Sequence, residues 1–248
     1  MDPITLILAF IVGAVGGGLA SSSKSPTAIA DRAADKVYRV EVAGNFIATA
    51  FALENSNEDK FLVTAGHVCD GMLSKEIKPL PQTARSGANV IKIDNSKLYL
   101  SGNHDLCVIS KLPDDAKAFK LSSNAQELEE VVVVGHPAGI PLAAVKGSVV
   151  GSDVMEMPTQ RSKNKCSGSA YSWQKVEMNT PFGVVKFEAC MFKAVSVSTT
   201  LTVAPGNSGS PVLNDNGEVV GVLSAMNTNI PAGFGVVVPV EILQKEIK

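Results

Sequence analysis

Short apolar runs rich in valine, separated by turn-forming residues, constrain the fold of this chain most strongly. Two sets of about six such runs lie at residues 37–110 and 131–239, and long amphipathic helical patterns are scarce. Runs of this length and composition are typical of β-strands. The sequence therefore predicts an all-β fold of two six-stranded antiparallel β-barrels. The last residues, "PVEILQKEIK", have apolar positions at helical spacing and predict a short closing helix.

The N-terminal segment, unlike the short apolar runs that follow it, is one long uncharged apolar stretch. The stretch "ITLILAFIVGAVGGGLASSS" (residues 4–23) contains no charged residue and has the length of a bilayer-spanning helix. We expect residues 1–23 to form a hydrophobic helix that anchors the chain in a membrane; a signal peptide and a buried hydrophobic arm are the alternatives. The basic residues that follow favour the cytoplasmic face for the rest of the chain, whereas a signal peptide would place it in the periplasm or outside.

The remaining chain divides into a linker at 24–36 and one domain at 37–248. Within the domain we expect barrel one at about 37–112, a polar connector at about 113–130 and barrel two at about 131–240. A length of 248 residues with 45% hydrophobic residues is sufficient for such a core. Net charge is −2 and only 5% of residues are aromatic, which argues against a nucleic-acid groove.

The cysteines and histidines do not predict a metal site. The four cysteines show no C-x-x-C spacing, and no two of the three histidines lie at ligand spacing on a helix. Cys69 and Cys107 have no evident partners, so we expect free thiols there. Cys166 and Cys190 bracket one segment, which predicts either a surface hairpin with buried thiols or a disulfide-tied loop near a cleft.

The stretch "PGNSGSP" (residues 205–211) precedes a strand-like run and has two interpretations. Glycine, asparagine and proline form turns, so Ser208 could be an ordinary loop residue. A serine nucleophile, in contrast, needs a histidine base, a third group to orient that base, and N–H donors for the developing oxyanion. A tight turn at residues 206–208 could aim the N–H groups of Gly206 and Ser208 at one point. His67 in "TAGHVC" and Asp105 in "HDLCVI" lie in matching strand-edge contexts.

Together, "TAGHVC", "HDLCVI" and "PGNSGSPV" resemble the three signature stretches of the chymotrypsin-like (trypsin-fold) serine proteases, in the family's order. The resemblance covers about residues 35–248. It implies that His67 is the general base, Asp105 orients it, Ser208 is the nucleophile, and Gly206 and Ser208 form the oxyanion hole. His104 is then a solvent-side neighbour and His136 a loop residue.

Subtype features point in two directions. "VVVVGHPAGI", "AAVKGSVVGS" and the C-terminal "NDNGEVVGVLSAMN" are similar to HtrA (Deg-type) protease domains, and we expect no PDZ-type extension. "GNSGSP" also resembles several viral polyprotein-processing proteases. Asn207 stands where digestive relatives carry an aspartate, and the usual disulfide of the histidine loop is expected to be absent.

The resemblance also implies a substrate pocket with Thr202 at its floor and Ser224, Ala225 and Met226 in its wall. These residues carry no charge, so we expect preference for a small or medium uncharged residue before the cut. The predicted function is a serine endopeptidase that forms an acyl-enzyme, acts on protein or peptide substrates, needs no cofactor or metal, and could form a homo-oligomer. The alternative from another class is a catalytically silent protease-fold binding module.

Overall fold

The protein is described here by a computed structural model that covers residues 25–124, 126–159, 163–166, 171–180, 183–227 and 234–247. The first set of strands comprises β1 (Val37–Val42), β2 (Asn45–Glu54), β3 (Lys60–Ala65), β4 (Gln82–Ser86), β5 (Asn89–Lys92), β6 (Tyr99–Leu100), β7 (Leu106–Lys111) and β8 (Phe119–Lys120). The second set comprises β9 (Glu130–Gly135), β10 (Ala143–Thr159), β11 (Tyr171–Thr180), β12 (Gly183–Thr199), β13 (Pro211–Leu213), β14 (Val219–Asn227) and β15 (Phe234–Pro239). The predicted all-β fold is confirmed.

The two sheets close to different degrees. In the second, six strands follow the order β10-β9-β13-β14-β15-β12, and pairing of β10 with β12 closes the barrel. β11 lies outside this ring, paired with β12 in a long hairpin. The first sheet has the order β5-β4-β1-β2-β3-β7-β6, with β8 added beside β2, and it curls into a half-barrel. The expectation of two equivalent six-stranded barrels is therefore met by barrel two and modified in barrel one.

Alternating burial explains why these segments form strands. β1, with the sequence VYRVEV, buries Val40 and Val42 and leaves Arg39 and Glu41 half-buried. One cluster of buried apolar residues belongs to each sheet. A third cluster lies between the two sheets and contains residues from both. The interface between the sheets is therefore a packed core, and residues from either side can meet at its rim.

Two helices seal the ends of this core. α1 (Pro26–Ala33) occupies the segment that the sequence analysis treats as a linker, and its Ile29 and Ala33 are buried against the inter-sheet cluster. Ser25 caps it, because its hydroxyl accepts a hydrogen bond from the N–H of Ala28 at 3.2 Å. The predicted closing helix is present as α3 (Val240–Glu246), which buries Leu243 in the same cluster.

The proposed membrane anchor at residues 1–23 lies outside the described residues. Among the helices that the structure describes, none is long and apolar enough to cross a bilayer.

Candidate active site

His67 and Asp105 are brought together by the pairing of β3 with β7. Ala65 ends β3 and lies opposite Leu106, which begins β7. His67 is the second residue of helix α2 (Gly66–Met72), which follows β3 directly. Because Asp105 immediately precedes β7, this antiparallel register places its carboxylate beside the start of α2.

Two hydrogen bonds join these residues. The backbone N–H of His67 donates to Oδ1 of Asp105 at 2.6 Å, and the imidazole Nδ1 lies 2.9 Å from Oδ2. A glycine is needed before the histidine, because a Cβ on Gly66 would lie 2.9 Å from that Oδ1. Asp105 is buried, with 8% exposure, whereas the side chain of His67 is 33% exposed. The carboxylate is thus shielded from water while the imidazole stays accessible.

The electrostatics of the pair follow from this geometry. Burial lowers the pKa of His67, but the charge of Asp105 and the hydrogen bond to it outweigh burial and raise that pKa above 6.5. Burial raises the pKa of Asp105, but the charge of His67 and the hydrogen bonds from His67 and Ser224 hold it below 3.8. Each partner therefore favours the charged form of the other.

Ser224 holds the carboxylate from the second barrel. Its hydroxyl donates to Oδ2 of Asp105 at 2.5 Å. It lies in β14 at a β-bulge, where the register shifts between Leu223 and Ala225. The sequence analysis placed Ser224 only in the substrate pocket. Its contact with Asp105 joins residues 119 positions apart, and no local sequence pattern marks it.

Ser208 lies in the turn before β13, on the opposite side of the inter-sheet boundary from His67. Within the described part of the chain, its hydroxyl makes one hydrogen bond, to the backbone carbonyl of Ser224 at 3.3 Å. The Ser208 hydroxyl is therefore not hydrogen-bonded to His67 in this structure. The Ser224 carbonyl accepts the hydrogen bond from this hydroxyl instead.

The loop around Ser208 presents two backbone N–H groups. Asn207 N–H donates to the Ala204 carbonyl at 3.1 Å, and Gly206 has a φ of 94°, the pattern of a type II turn. The Pro205 carbonyl accepts from Ala138 N–H at 2.6 Å. In a trans peptide the N–H points away from the preceding carbonyl, so this contact fixes the direction of Gly206 N–H.

The same reasoning applies to the N–H of Ser208. The Asn207 carbonyl accepts from Ser210 N–H at 2.9 Å, which fixes the peptide that carries Ser208 N–H. Among the described residues, neither Gly206 N–H nor Ser208 N–H donates to a protein acceptor. Both are available to an external oxygen atom.

A cavity of about 190 Å³ adjoins Ser208. Its wall is mainly small and apolar, formed by Val203, Ala204, Pro205, Asn207, Ser208, Leu223, Ser224 and Ala225. Two of the predicted pocket residues, Ser224 and Ala225, are in this wall. The side chain of Met226 lies outside the described residues.

Thr202, the predicted pocket floor, is placed away from this cavity. Thr202 is exposed and does not line the cavity. Leu201 is fully buried in the core of the second barrel, so the side chain of the next residue turns toward solvent. Val203, the next residue, is in the cavity wall.

The expectation of free thiols at Cys69 and Cys107 is wrong, because these two residues are bridged. Cys166 and Cys190 are bridged as well, which is the disulfide alternative of the sequence analysis. The first bridge joins α2 to β7, two residues beyond His67 on one side and two beyond Asp105 on the other. Pairing of β3 with β7 places Cys107 opposite Thr64, close to α2, a proximity that only the strand register reveals.

The other histidines are not part of this site. The Nε2 atom of His104 lies 3.9 Å from a carboxylate oxygen of Glu246. His136 is buried, with Nδ1 3.2 Å from the Ile140 carbonyl. In the described residues there is no group of three or more histidine, cysteine or acidic side chains that could hold a metal ion.

Comparison with known proteins shows which family this chain resembles. The trypsin-like peptidase domain family matches residues 48–222. The serine protease Do-like HtrA of Bacillus subtilis (strain 168) is 24% identical over 192 residues, which cover 75% of this chain and 35% of that protein. The chain thus spans about a third of the length of this curated relative.

Solved structures share the fold at low identity. The Rv3671c protease of M. tuberculosis in its active form aligns with a TM-score of 0.61 at 16% identity, covering 88% of this chain and 82% of that one. The HtrA-type protease AlgW with tripeptide aligns with a TM-score of 0.54 at 16% identity, covering 90% and 62%. Because the family match spans well over half of the sequence, the chain belongs to the trypsin-like peptidase domain family.

Proposed function

We propose that this protein is a serine endopeptidase in which Ser208 is the nucleophile, His67 the general base and Asp105 the group that orients the base. One observation carries the proposal: a buried carboxylate binds both the backbone and the imidazole of His67, and Ser224 links that carboxylate to the Ser208 hydroxyl. Among the described residues, the N–H groups of Gly206 and Ser208 have no protein acceptor. Nucleophile, base, orienting group and oxyanion donors are the components that acyl transfer requires.

The proposed reaction proceeds in two halves. Ser208 Oγ attacks the scissile carbonyl while His67 Nε2 takes its proton, and the N–H groups of Gly206 and Ser208 bind the oxyanion. His67 then protonates the leaving amine, which leaves an acyl-enzyme ester on Ser208. Water attacks that ester with His67 again as base, and release of the acid product restores Ser208.

The orientation of Ser208 adds one step before attack. Its hydroxyl is hydrogen-bonded to the Ser224 carbonyl and must rotate toward Nε2 of His67. Rotation about one side-chain bond is fast and costs one hydrogen bond to a neutral acceptor, about 1 kcal/mol. This cost does not prevent catalysis.

The cavity wall supports a preference for small or medium uncharged side chains before the cut. A volume of about 190 Å³ is lined mainly by alanine, valine, leucine and proline, and none of the described residues in its wall carries a charge. A buried charge without a partner is strongly unfavourable. Profiling with a peptide library should give alanine, valine, serine or threonine at this position, and predominance of arginine, lysine or glutamate would contradict the proposal.

Pre-steady-state hydrolysis of an activated ester of a short peptide tests the reaction itself. Wild-type protein should release an initial burst of the alcohol leaving group equal to the enzyme concentration, and Ser208→Ala should release none. Hydrolysis by Ser208→Ala at the wild-type rate would refute the assignment of the nucleophile.

A second candidate function follows from the hydrogen bond of Ser208 to Ser224. A protease fold whose serine stays in that orientation would bind extended peptides without cleaving them. Binding of the library peptides with neither a burst nor turnover would favour this candidate. The presence of a candidate nucleophile, base, orienting group and oxyanion donors argues against it.

Attachment to a membrane through residues 1–23, and assembly into a homo-oligomer, remain predictions. Flotation of the full chain with lipid vesicles, compared with a chain that begins at residue 25, tests the first. Sedimentation of the same two proteins tests the second.

A further inference from the structure

Thr49 connects three parts of the site that are distant in sequence. It lies in β2, is fully buried, and uses its hydroxyl twice. The Oγ1 atom donates to the Gly206 carbonyl at 2.9 Å and accepts from the backbone N–H of His136 at 3.1 Å. Its backbone N–H donates to the Ser208 carbonyl at 3.0 Å. One residue of the first barrel thus holds two separate segments of the second, at residue 136 and at residues 206–208.

These contacts complete the fixation of the loop. The Pro205 carbonyl is held by Ala138 and the Asn207 carbonyl by Ser210. Between them lies the peptide that joins Gly206 to Asn207, and its carbonyl is held by the Thr49 hydroxyl. Rotation of this middle peptide would turn both neighbouring peptides, which carry the N–H groups of Gly206 and Ser208.

The second contact of the hydroxyl acts on the same loop from its other side. By accepting from His136 N–H, Thr49 holds the start of the turn at residues 136–139, and Ala138 in that turn binds Pro205. Arg39 holds the end of the turn, because its Nη1 donates to the Gly139 carbonyl at 2.9 Å. The turn is therefore fixed at both ends and can hold the Pro205 carbonyl in one direction.

Close packing leaves the loop little alternative space on this side. A Cβ on Gly206 would lie 2.6 Å from Cε1 of Phe46, whose ring also lies under the guanidinium of Arg39 at 5.1 Å. The cavity of about 190 Å³ borders the same loop at Pro205, Asn207 and Ser208, so the loop would move toward that space if the Thr49 hydroxyl were lost. That movement would displace the two N–H groups.

We propose that Thr49 is a positioning residue that sets the direction of the Gly206 and Ser208 N–H groups through its hydroxyl. It does not touch substrate; it acts through the loop. The inference rests on the proposed function, since those N–H groups matter only if an oxyanion develops beside them.

The test compares Thr49→Val, which keeps the shape and removes the hydroxyl, with Thr49→Ser, which keeps the hydroxyl. Removing one oxyanion donor typically lowers kcat by about 10²–10³-fold. We expect a loss of roughly 10- to 100-fold in kcat for Thr49→Val because its donors are displaced rather than deleted. KM should stay within about twofold, and Thr49→Ser should retain most of the wild-type kcat.

Affinity for a peptide boronic acid, which forms a tetrahedral adduct, provides a readout that general loss of stability would not move. It should fall for Thr49→Val by the same factor as kcat/KM. Thr199→Val is the matched control, because Thr199 is also buried and its hydroxyl donates to the Gly235 carbonyl inside the second barrel. This control should lower the melting temperature without lowering boronic acid affinity.

Each outcome is decisive. Wild-type kcat and boronic acid affinity in Thr49→Val, a loss confined to KM, or equal losses in Thr49→Ser would overturn the inference. If Thr49→Val does not fold, Thr49→Ala replaces it, and failure of both to fold while Thr49→Ser folds would show a structural role instead. A wild-type protein without turnover would refute the proposed function, and that result is distinct from wild-type turnover that Thr49→Val leaves unchanged.

Discussion

The carboxylate of Asp105 binds His67 at both of its oxygen atoms, Oδ1 to the backbone N–H and Oδ2 to the imidazole Nδ1. The first contact fixes the position of the His67 backbone, and the second fixes the rotation of its imidazole ring. Nδ1 is thereby the protonated ring nitrogen in the neutral form, and Nε2 is left as the base. The tautomer and the raised pKa of His67 have the same cause.

The pH dependence of activity should reflect this pair. Catalysis needs neutral His67, and Asp105 raises the pKa of that imidazole above 6.5. The acidic limb of kcat/KM should therefore have its midpoint above pH 6.5. A titration of kcat/KM between pH 5 and 9 measures it, and a midpoint below 6.5 would contradict the electrostatic account.

Stability should respond in the opposite sense for the two partners. The raised pKa of His67 gives a contribution that is complete below pH 6.5 and is lost as pH rises through the folded-state value. The lowered pKa of Asp105 gives a contribution present above pH 3.8 and lost as pH falls through the folded-state value. Urea unfolding of wild type and Asp105→Asn across this range should show both dependences in the wild type alone.

Asp105→Asn should reduce kcat by about 10³–10⁴-fold, because the amide can stabilise the wrong imidazole tautomer and no longer stabilises the imidazolium. Its acidic limb should also move to lower pH, since burial lowers the pKa of His67 and only the smaller effect of the Asp70 charge then opposes it. Stopped-time assays of both proteins over the same pH range give both numbers. A kcat within tenfold of wild type would argue against the assigned role of Asp105.

Gly206→Ala should lower kcat by about 10²–10³-fold, the loss expected when one oxyanion donor is removed from the site. Its φ is 94°, and an added Cβ would lie 2.6 Å from Phe46 and 2.9 Å from the His136 carbonyl. Gly217→Ala is the matched control, because its φ is 78° but no atom lies within 4 Å of the added Cβ. The control should cost about 1 kcal/mol of stability and leave kcat unchanged. Equal kcat losses in the two variants would attribute the effect to backbone strain alone.

Removal of the Cys69–Cys107 bridge should lower both stability and kcat. A bridge between residues 38 apart contributes about 4 kcal/mol in the chain-entropy model, and this one also clamps α2 to β7 beside His67 and Asp105. Removal of Cys166–Cys190, which spans 24 residues in the β11–β12 hairpin region, should cost a similar free energy, about 3.5 kcal/mol. Comparing the two double alanine variants by urea unfolding and kcat separates the effects. If kcat falls equally in both, the clamp has no specific influence on the site.

Local patterns were sufficient for much of the fold, and they also pointed to the candidate residues of the site. The valine-rich runs predicted most strands, and Asn216-Gly217, a dipeptide typical of hairpin turns, lies between the paired strands β13 and β14. The Ser25-Pro26 pair is a helix start signal, and it would have predicted α1 had it been weighed against the linker interpretation.

Contacts between distant segments were not predictable in the same way. The bridge from Cys69 to Cys107, the bond from Ser224 to Asp105 and the links from Thr49 to residues 206–208 all depend on strand register or on packing between the sheets. The placement of Thr202 was not predictable for a related reason, because which of Leu201, Thr202 and Val203 faces the cavity depends on how the chain enters the barrel core.

The most direct test of the central claim is the intact mass of the purified protein after reaction with a fluorophosphonate, alongside Ser208→Ala and His67→Ala. The account predicts one phosphonyl group per wild-type chain, located on the peptide that contains Ser208, and no rapid labelling of either variant. An unlabelled wild type, or labelling that persists in Ser208→Ala, would contradict the claim that Ser208 is an activated nucleophile.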